Sequence, residues 1–95
     1  MSNERAESYP LHRREVAKRL NDTSGDTLIV TGLGSTNWDF TAAGDGPHIF
    51  PLWGAMGGAI PTALGLALAQ PEKRVLVCTG DGEALMGIGS IATVA

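Results

Sequence analysis

Residues 74–85, RVLVCTGDGEAL, place an aspartate between two glycines directly after an apolar run. The run is continuous and rich in β-branched residues, which is typical of a parallel strand covered by helices on both faces. A second run of this kind, TLIVTG at 27–32, also ends on glycine. Together the two runs predict the core of a parallel β-sheet.

The segments around these strands predict the helices that cover them. The small-residue stretch before the second strand predicts a crossover helix over about 58–70. PLHRREVAKRL at 10–20 predicts a short first helix, with Val16 and Leu20 on its buried side and its basic residues in solvent. The order helix, strand, loop, helix, strand, helix predicts an α/β fold, the first half of a doubly wound parallel-sheet domain.

Composition restricts the function classes. Ninety-five residues allow one small domain, and 7 basic against 10 acidic residues, a net charge of −3, argue against nucleic-acid binding. The single cysteine, Cys78, excludes an internal disulfide and fits a reducing, cytoplasmic compartment. The polar start MSNERAESYP does not match a secretory signal, and residues 1–9 are predicted to be a disordered tail.

The uncharged stretch 49–70 is long enough to cross a bilayer. However, Pro51 and Pro61 interrupt it, and no basic cluster flanks it to set a topology. We therefore expect a buried helix of a larger soluble assembly and no membrane span.

The Gly-Asp-Gly turn is the first candidate for chemistry. Gly80 is expected to let the backbone turn sharply, and Gly82 to let a bulky anion approach the helix that follows. Asp81 at that place suits Mg²⁺, which takes one or two carboxylates plus phosphate oxygens. An aspartate there can equally be the N-cap of the next helix, and the tripeptide alone does not separate the two interpretations.

Other motifs in the chain are weaker. TGLGSTN at 31–37 partly matches a dinucleotide-binding fingerprint, but Asn37 occupies the third glycine position, so a plain strand-to-helix turn is favoured. A second Gly-Asp-Gly, around Asp45, follows no apolar strand and is predicted to be a turn. His48 is expected on a loop near the mouth of the site, where it could touch substrate. A surface-loop histidine without a functional role is the favoured interpretation.

One resemblance covers almost the whole chain. GAMGGAIPTALGLALAQPEKRVLVC followed by GDGEALMGIGSIATVA resembles the thiamine diphosphate-binding domain of the 2-oxoacid decarboxylase superfamily. LMGIGSIATVA and the opening RREVAKRL…DTLIVTGLGS look most like the corresponding domains of sulfopyruvate and phosphonopyruvate decarboxylases. The resemblance implies that residues 10–95 are the N-terminal part of such a domain, incomplete at the C-terminus.

The resemblance also implies a set of cofactor-binding positions in two turns: Gly54, Ala55, Met56, Gly80, Asp81, Gly82, Glu83 and Ala84. In the first turn, the Gly54 carbonyl would meet the aminopyrimidine, and Met56 would be the wedge that bends the cofactor. In the second, Asp81 would bind Mg²⁺ and the backbone N–H groups of Glu83 and Ala84 would face the diphosphate.

The sequence departs from the family pattern in two places. Glu83 stands where the family usually has a small residue, so we expect its carboxylate to point to solvent or to pair with a basic side chain. The chain also ends at Ala95, before the asparagine that completes the family's metal site. Either the chain is truncated or another polypeptide completes it.

The function implied is a thiamine diphosphate- and Mg²⁺-binding subunit or fragment of an oligomeric, cytoplasmic carboxy-lyase. The enzyme would convert a small 2-oxoacid to CO2 and an aldehyde. No catalytic residue is expected in this chain, since the activating glutamate would lie on a pyrimidine-binding partner domain or subunit. Two alternatives remain: a non-catalytic truncated module that binds a partner chain, and a nicotinamide-binding oxidoreductase fragment. Asp81 together with Met56 favours the decarboxylase over the oxidoreductase.

Overall fold

The computed structural model describes residues 8–95 and has a three-stranded parallel sheet at its centre. The strands are β1 (Leu28–Thr31), β2 (Ile49–Pro51) and β3 (Val75–Cys78), in the spatial order β2-β1-β3. Ile29 of the central strand is in register with Ile49 on one side and Leu76 on the other. Because β1 has neighbours on both sides and helices on both faces, it carries the most buried residues of the fold.

Within the described part of the chain, five helices surround this sheet: α1 (Arg13–Asp22), α2 (Ser35–Gly44), α3 (Ala59–Ala69), α4 (Asp81–Met86) and α5 (Gly89–Val94). On one face, Ile29 packs with Ala17 of α1 and Phe40 of α2. On the other, Val30 packs with Ala59 and Ala63 of α3. Successive residues of β1 therefore point into two separate cores, as the two-residue period of a strand requires. The sheet is wound on both faces, which confirms the predicted fold class.

The strands at 28–31 and 75–78 and the crossover helix agree with the sequence analysis. The predicted loop between them was wrong, because it contains α2 and β2. The buried face of α2 consists of Asn37, Asp39 and Phe40, so no apolar stripe identifies this helix in the sequence. β2 has three residues, too few for a recognisable pattern.

The first helix also differs from its prediction. It begins at Arg13, and its buried residue is Ala17 rather than Val16, which is 38% exposed; Leu20 is partly buried as expected. Arg13 and Arg14 are not simply solvated, because both guanidinium groups pair with the buried carboxylate of Asp39. These ion pairs fasten α1 to α2.

Within residues 8–95, no helix is long and apolar enough to cross a membrane, and the apolar helix α3 has 11 residues. The prediction of a disordered tail concerns residues 1–9, of which 1–7 lie outside the described residues.

Candidate functional site

Three turns meet at the carboxyl edge of the sheet, where parallel α/β folds bind their ligands. They follow β1 (32–34), β2 (52–58) and β3 (79–80). The Gly32 N–H donates to the Cys78 carbonyl at 2.8 Å, and the Leu52 N–H donates to the Thr31 carbonyl at 2.9 Å. These backbone bonds extend the strand pairing into the turns and hold the three together.

The Gly-Asp-Gly turn leads from β3 into α4, with Gly80 at the N-cap position and Asp81 as the first helical residue. Asp81 is exposed, and its Oδ1 accepts a hydrogen bond from the Gly82 N–H at 2.8 Å. Neither glycine has a positive φ, so the backbone does not require glycine here. A Cβ atom at either position would meet nothing within 4 Å. The turn therefore offers open space on both sides of an accessible carboxylate.

The two backbone amides expected to face a diphosphate differ in the structure. The Ala84 N–H donates to the Gly80 carbonyl at 2.9 Å and so belongs to the first turn of α4. The Glu83 N–H has no hydrogen-bond acceptor among the described residues. Glu83 thus keeps an amide available at the carboxyl edge, whereas the helix uses the amide of Ala84.

The side chain of Glu83 lies in an unexpected place. It neither points to solvent nor pairs with a basic group: the residue is 7% exposed, and Oε1 accepts a hydrogen bond from the Leu33 N–H at 3.0 Å. Oε2 is hydrogen-bonded to the Thr79 hydroxyl. A Cβ at Gly32 would overlap both the Glu83 carboxylate and the Thr79 hydroxyl, so only glycine leaves room for this arrangement. Sequence reasoning missed it because Leu33 is 50 positions away from Glu83.

The turn after β2 presents Met56 at the surface. Ala55 and Gly57 on either side have left-handed φ values of 54° and 94°, and the Gly58 N–H closes the turn on the Ala55 carbonyl at 2.7 Å. Met56 is 54% exposed, so its side chain is available to a ligand at the carboxyl edge. Its role as a wedge remains a prediction.

Two polar residues anchor this turn to the sheet. Asn37 of α2 is fully buried; its Oδ1 accepts from the Thr31 hydroxyl at 2.5 Å, and its Nδ2 donates to the Leu52 carbonyl at 2.6 Å. Asn37 thus occupies the position of the third glycine in a dinucleotide-binding fingerprint, and both polar atoms of its side chain are hydrogen-bonded within the protein. These contacts give Asn37 a structural role, and they favour a plain strand-to-helix turn over a dinucleotide-binding fingerprint at 31–37.

An aromatic pair links α2 to the same turn, to which Trp53 belongs. Trp38 of α2 and Trp53 meet edge to face, with ring centroids 5.0 Å apart and an interplanar angle of 65°. Both remain more than half exposed. The sequence offers both tryptophans as candidates for lining the cofactor cleft or a subunit interface, but it does not predict that the rings meet, because Trp38 lies on the helix that was predicted to be loop.

Other candidates lie outside the site. His48 precedes β2 at the amino edge of the sheet, where its Nε2 lies 2.7 Å from Asn21 Oδ1, so its expected position near the mouth was wrong. Asp45 lies in the same region, as the C-cap residue of α2, so the predicted turn is the end of this helix. Cys78 ends β3, and burial raises the pKa of its thiol. Among residues 8–95, no three histidine, cysteine, aspartate or glutamate side chains cluster as metal ligands.

Comparison with known proteins shows the family of this chain. Residues 32–95 match the thiamine pyrophosphate enzyme family, C-terminal TPP binding domain; thiamine pyrophosphate is thiamine diphosphate. The chain is 39% identical over 85 residues to the sulfopyruvate decarboxylase subunit beta of Methanothermobacter thermautotrophicus, covering 90% of this chain and 45% of that protein. It is 43% identical over 90 residues to the phosphonopyruvate decarboxylase of Streptomyces hygroscopicus, covering 95% and 22%.

The chain thus spans less than half the length of either relative. The matched region contains both the Met56 turn and the Gly-Asp-Gly turn, and it includes all three turns of the carboxyl edge. This chain therefore belongs to the thiamine pyrophosphate enzyme family, as part of the C-terminal TPP-binding domain.

Proposed function

We propose that this chain is the cofactor-binding part of a thiamine diphosphate-dependent decarboxylase that acts on a small 2-oxoacid. The observation that carries the proposal is the Asp81 carboxylate, exposed between two glycines with open space around them. A diphosphate with its cation needs both room and an oxygen ligand, and the turn has both. The residues present fit the cofactor.

The Gly-Asp-Gly turn would hold the charged end of the cofactor. Asp81 Oδ2, which has no partner among the described residues, would bind Mg²⁺, and phosphate oxygens would supply further ligands. Gly80 and Gly82 would leave space for the diphosphate, and the Glu83 N–H would donate to it. Asp81 Oδ1 stays bonded to the Gly82 amide, which fixes the direction of the carboxylate.

The turn after β2 would hold the organic part. Met56 would support the ring system from below, since its exposed thioether is apolar and adaptable. The Gly54 carbonyl would accept a hydrogen bond from the aminopyrimidine, and Ala55 would keep the turn in its left-handed conformation. When bound, the cofactor supplies the electron sink that decarboxylation needs, and these residues orient it.

A partner would complete the enzyme. The sulfopyruvate decarboxylase relatives are named as beta subunits, which supports a second subunit for this protein. We propose that this subunit or domain carries the glutamate that activates the pyrimidine, and that the enzyme is a cytoplasmic oligomer. The sulfopyruvate and phosphonopyruvate relatives suggest a 2-oxoacid with an anionic tail as substrate.

Calorimetric titration of thiamine diphosphate into the full chain, with and without Mg²⁺, tests the cofactor site. Asp81→Asn keeps an acceptor for the Gly82 amide but removes the charge, so we expect affinity in Mg²⁺ to fall by about ten-fold or more. Asp45→Asn is the matched control, because Asp45 is also exposed in a Gly-Asp-Gly and accepts from the next amide at 3.0 Å. Equal affinity for Asp81→Asn and the wild type, or no binding by the folded wild type, would contradict the proposal.

A further inference from the structure

We infer that Glu83 is a positioning residue for the diphosphate turn, acting through its buried carboxylate and not through the cofactor. The inference rests on the proposed function of Asp81 as the metal ligand. The groups involved are not those of the metal site: they are Glu83 Oε1 and Oε2, the Leu33 amide and the Thr79 hydroxyl. Together these groups form a clasp between the turn after β1 and the first turn of α4.

The clasp is needed because α4 is weak on its own. The helix has six residues, contains Gly82 in its first turn, and has no side-chain cap at Gly80. A helix this short is unstable in isolation, and an internal glycine weakens it further. Its position must therefore come from contacts with the rest of the fold.

Glu83 makes such a contact. Among the described residues, its bond to the Leu33 N–H is the one side-chain hydrogen bond that joins α4 to an element distant in sequence. Its bond to Thr79 ties the same carboxylate to the end of β3. Asp81 lies two residues earlier on this turn, so fixing Glu83 limits how far the Asp81 carboxylate can move.

Gly32 completes the argument from the other side. It is buried, and a Cβ there would occupy the space of the Glu83 carboxylate and the Thr79 hydroxyl. The turn after β1 is thus shaped to receive a carboxylate at position 83. A buried carboxylate close to a diphosphate site would repel the ligand, so the two hydrogen bonds that hold it there are best explained by the order that they impose on the turn.

Two variants separate hydrogen bonding from charge. Glu83→Gln can accept from the Leu33 amide through Oε1 and donate to Thr79 through Nε2, so the clasp persists without its charge. Glu83→Ala removes both bonds. Glu72→Ala is the control for loss of a carboxylate, because Glu72 is exposed in the turn before β3.

The first measurement is amide hydrogen exchange of the cofactor-free chain, followed by NMR. In Glu83→Ala we expect the Leu33 amide and the first turn of α4 to exchange about ten-fold faster or more, with Glu83→Gln and Glu72→Ala close to the wild type. Unchanged exchange in Glu83→Ala overturns the inference. If Glu83→Ala does not fold, Thr79→Val, which removes one of the two bonds, must accelerate exchange at the same amides, and its failure to do so overturns the inference.

The second measurement is the affinity for thiamine diphosphate in Mg²⁺. We expect it to weaken about ten-fold in Glu83→Ala and to be restored in Glu83→Gln. A Glu83→Gln chain as weak as Glu83→Ala would assign the effect to charge and overturn the clasp. If the proposed function is wrong, the wild type itself does not bind the cofactor. The exchange measurement, which uses the cofactor-free chain, still decides whether Glu83 orders the turn.

Discussion

Gly87 lies directly against Gly57, so that a side chain at position 87 would overlap the Gly57 carbonyl oxygen. The approach is mutual, because a Cβ at Gly57 would lie 3.1 Å from Met86 Cβ and 3.2 Å from the Gly87 nitrogen. Gly57 belongs to the turn that presents Met56, and Gly87 follows α4 directly. Two parts of the candidate site that are distant in sequence are therefore packed backbone to backbone.

Substituting Gly87 should disturb both parts at once. We expect Gly87→Ala to lower the free energy of unfolding by about 2 kcal/mol, because backbone atoms rather than a flexible side chain must move. Gly89→Ala is the matched control, since a Cβ there meets nothing within 4 Å, and it should change stability by less than about 0.5 kcal/mol. Urea denaturation measures both values. Equal stability of the two variants would contradict the close approach.

The Asn37 network should be worth more than a surface polar contact. Asn37→Leu leaves the Thr31 hydroxyl and the Leu52 carbonyl without their described partner, so we expect a loss of about 3 kcal/mol. Thr31→Val removes one of these bonds and should cost about 1 kcal/mol. The same denaturation experiment measures both. A loss for Asn37→Leu no greater than that for Thr31→Val would show that the bond to Leu52 contributes little.

The two arginines of α1 should be partly redundant. The Asp39 side chain is 5% exposed and lies 2.9 Å from Arg13 Nε and 2.8 Å from Arg14 Nε. Either arginine alone can satisfy the carboxylate, whereas the double variant Arg13→Ala/Arg14→Ala leaves it buried and unpaired, at a cost of about 2 kcal/mol. We expect each single variant to cost less than half of this.

Lys18→Ala is the control for these arginines, because it breaks an exposed pair with Asp22 that should contribute less than about 0.5 kcal/mol. Urea denaturation measures the free energy of unfolding of the two single arginine variants, the double variant and Lys18→Ala, each against the wild type. A double arginine variant as stable as Lys18→Ala would mean that Asp39 is not held by these pairs.

The thiol of Cys78 should ionise at a higher pH than a free cysteine, whereas an activated cysteine ionises at a lower pH. Burial raises its pKa in the folded state, so the neutral thiol persists at pH values where an unfolded thiol ionises. The stability associated with this shift is fully present below the unfolded pKa and is lost as pH rises through the folded pKa.

Alkylation rates against pH measure the Cys78 shift directly. We expect the midpoint of the native chain to lie above that of the same chain in denaturant, which serves as the internal control. A native midpoint at or below the denatured one would rule out the effect of burial.

The sequence was informative where local pattern determines structure. The strands 28–31 and 75–78 are continuous apolar runs, and the crossover helix lies between clear boundaries, so their positions follow from the residues. Helix α2 could not be found in this way. Its buried residues Asn37 and Asp39 are polar, and their burial makes sense only with Leu52 and the arginines of α1, which lie elsewhere in the chain.

The same limit applies to the site. The position of Asp81 in the turn after a β-strand follows from the sequence, and the structure agrees, with β3 itself only partly buried. The direction of the Glu83 side chain does not, because its partner is the backbone amide of a distant turn. Almost every residue has a backbone N–H group, so the sequence does not show which of them a glutamate will bind. In the sequence Glu83 therefore cannot be told from a surface glutamate.

The aromatic pair beside the Met56 turn gives the protein a built-in optical probe. The sequence contains two tryptophans, Trp38 and Trp53, and both belong to this pair. All indole emission of the chain therefore originates at one spot, on the rim of the edge where a cofactor would bind. A change in fluorescence on adding a ligand would report on that rim without any label.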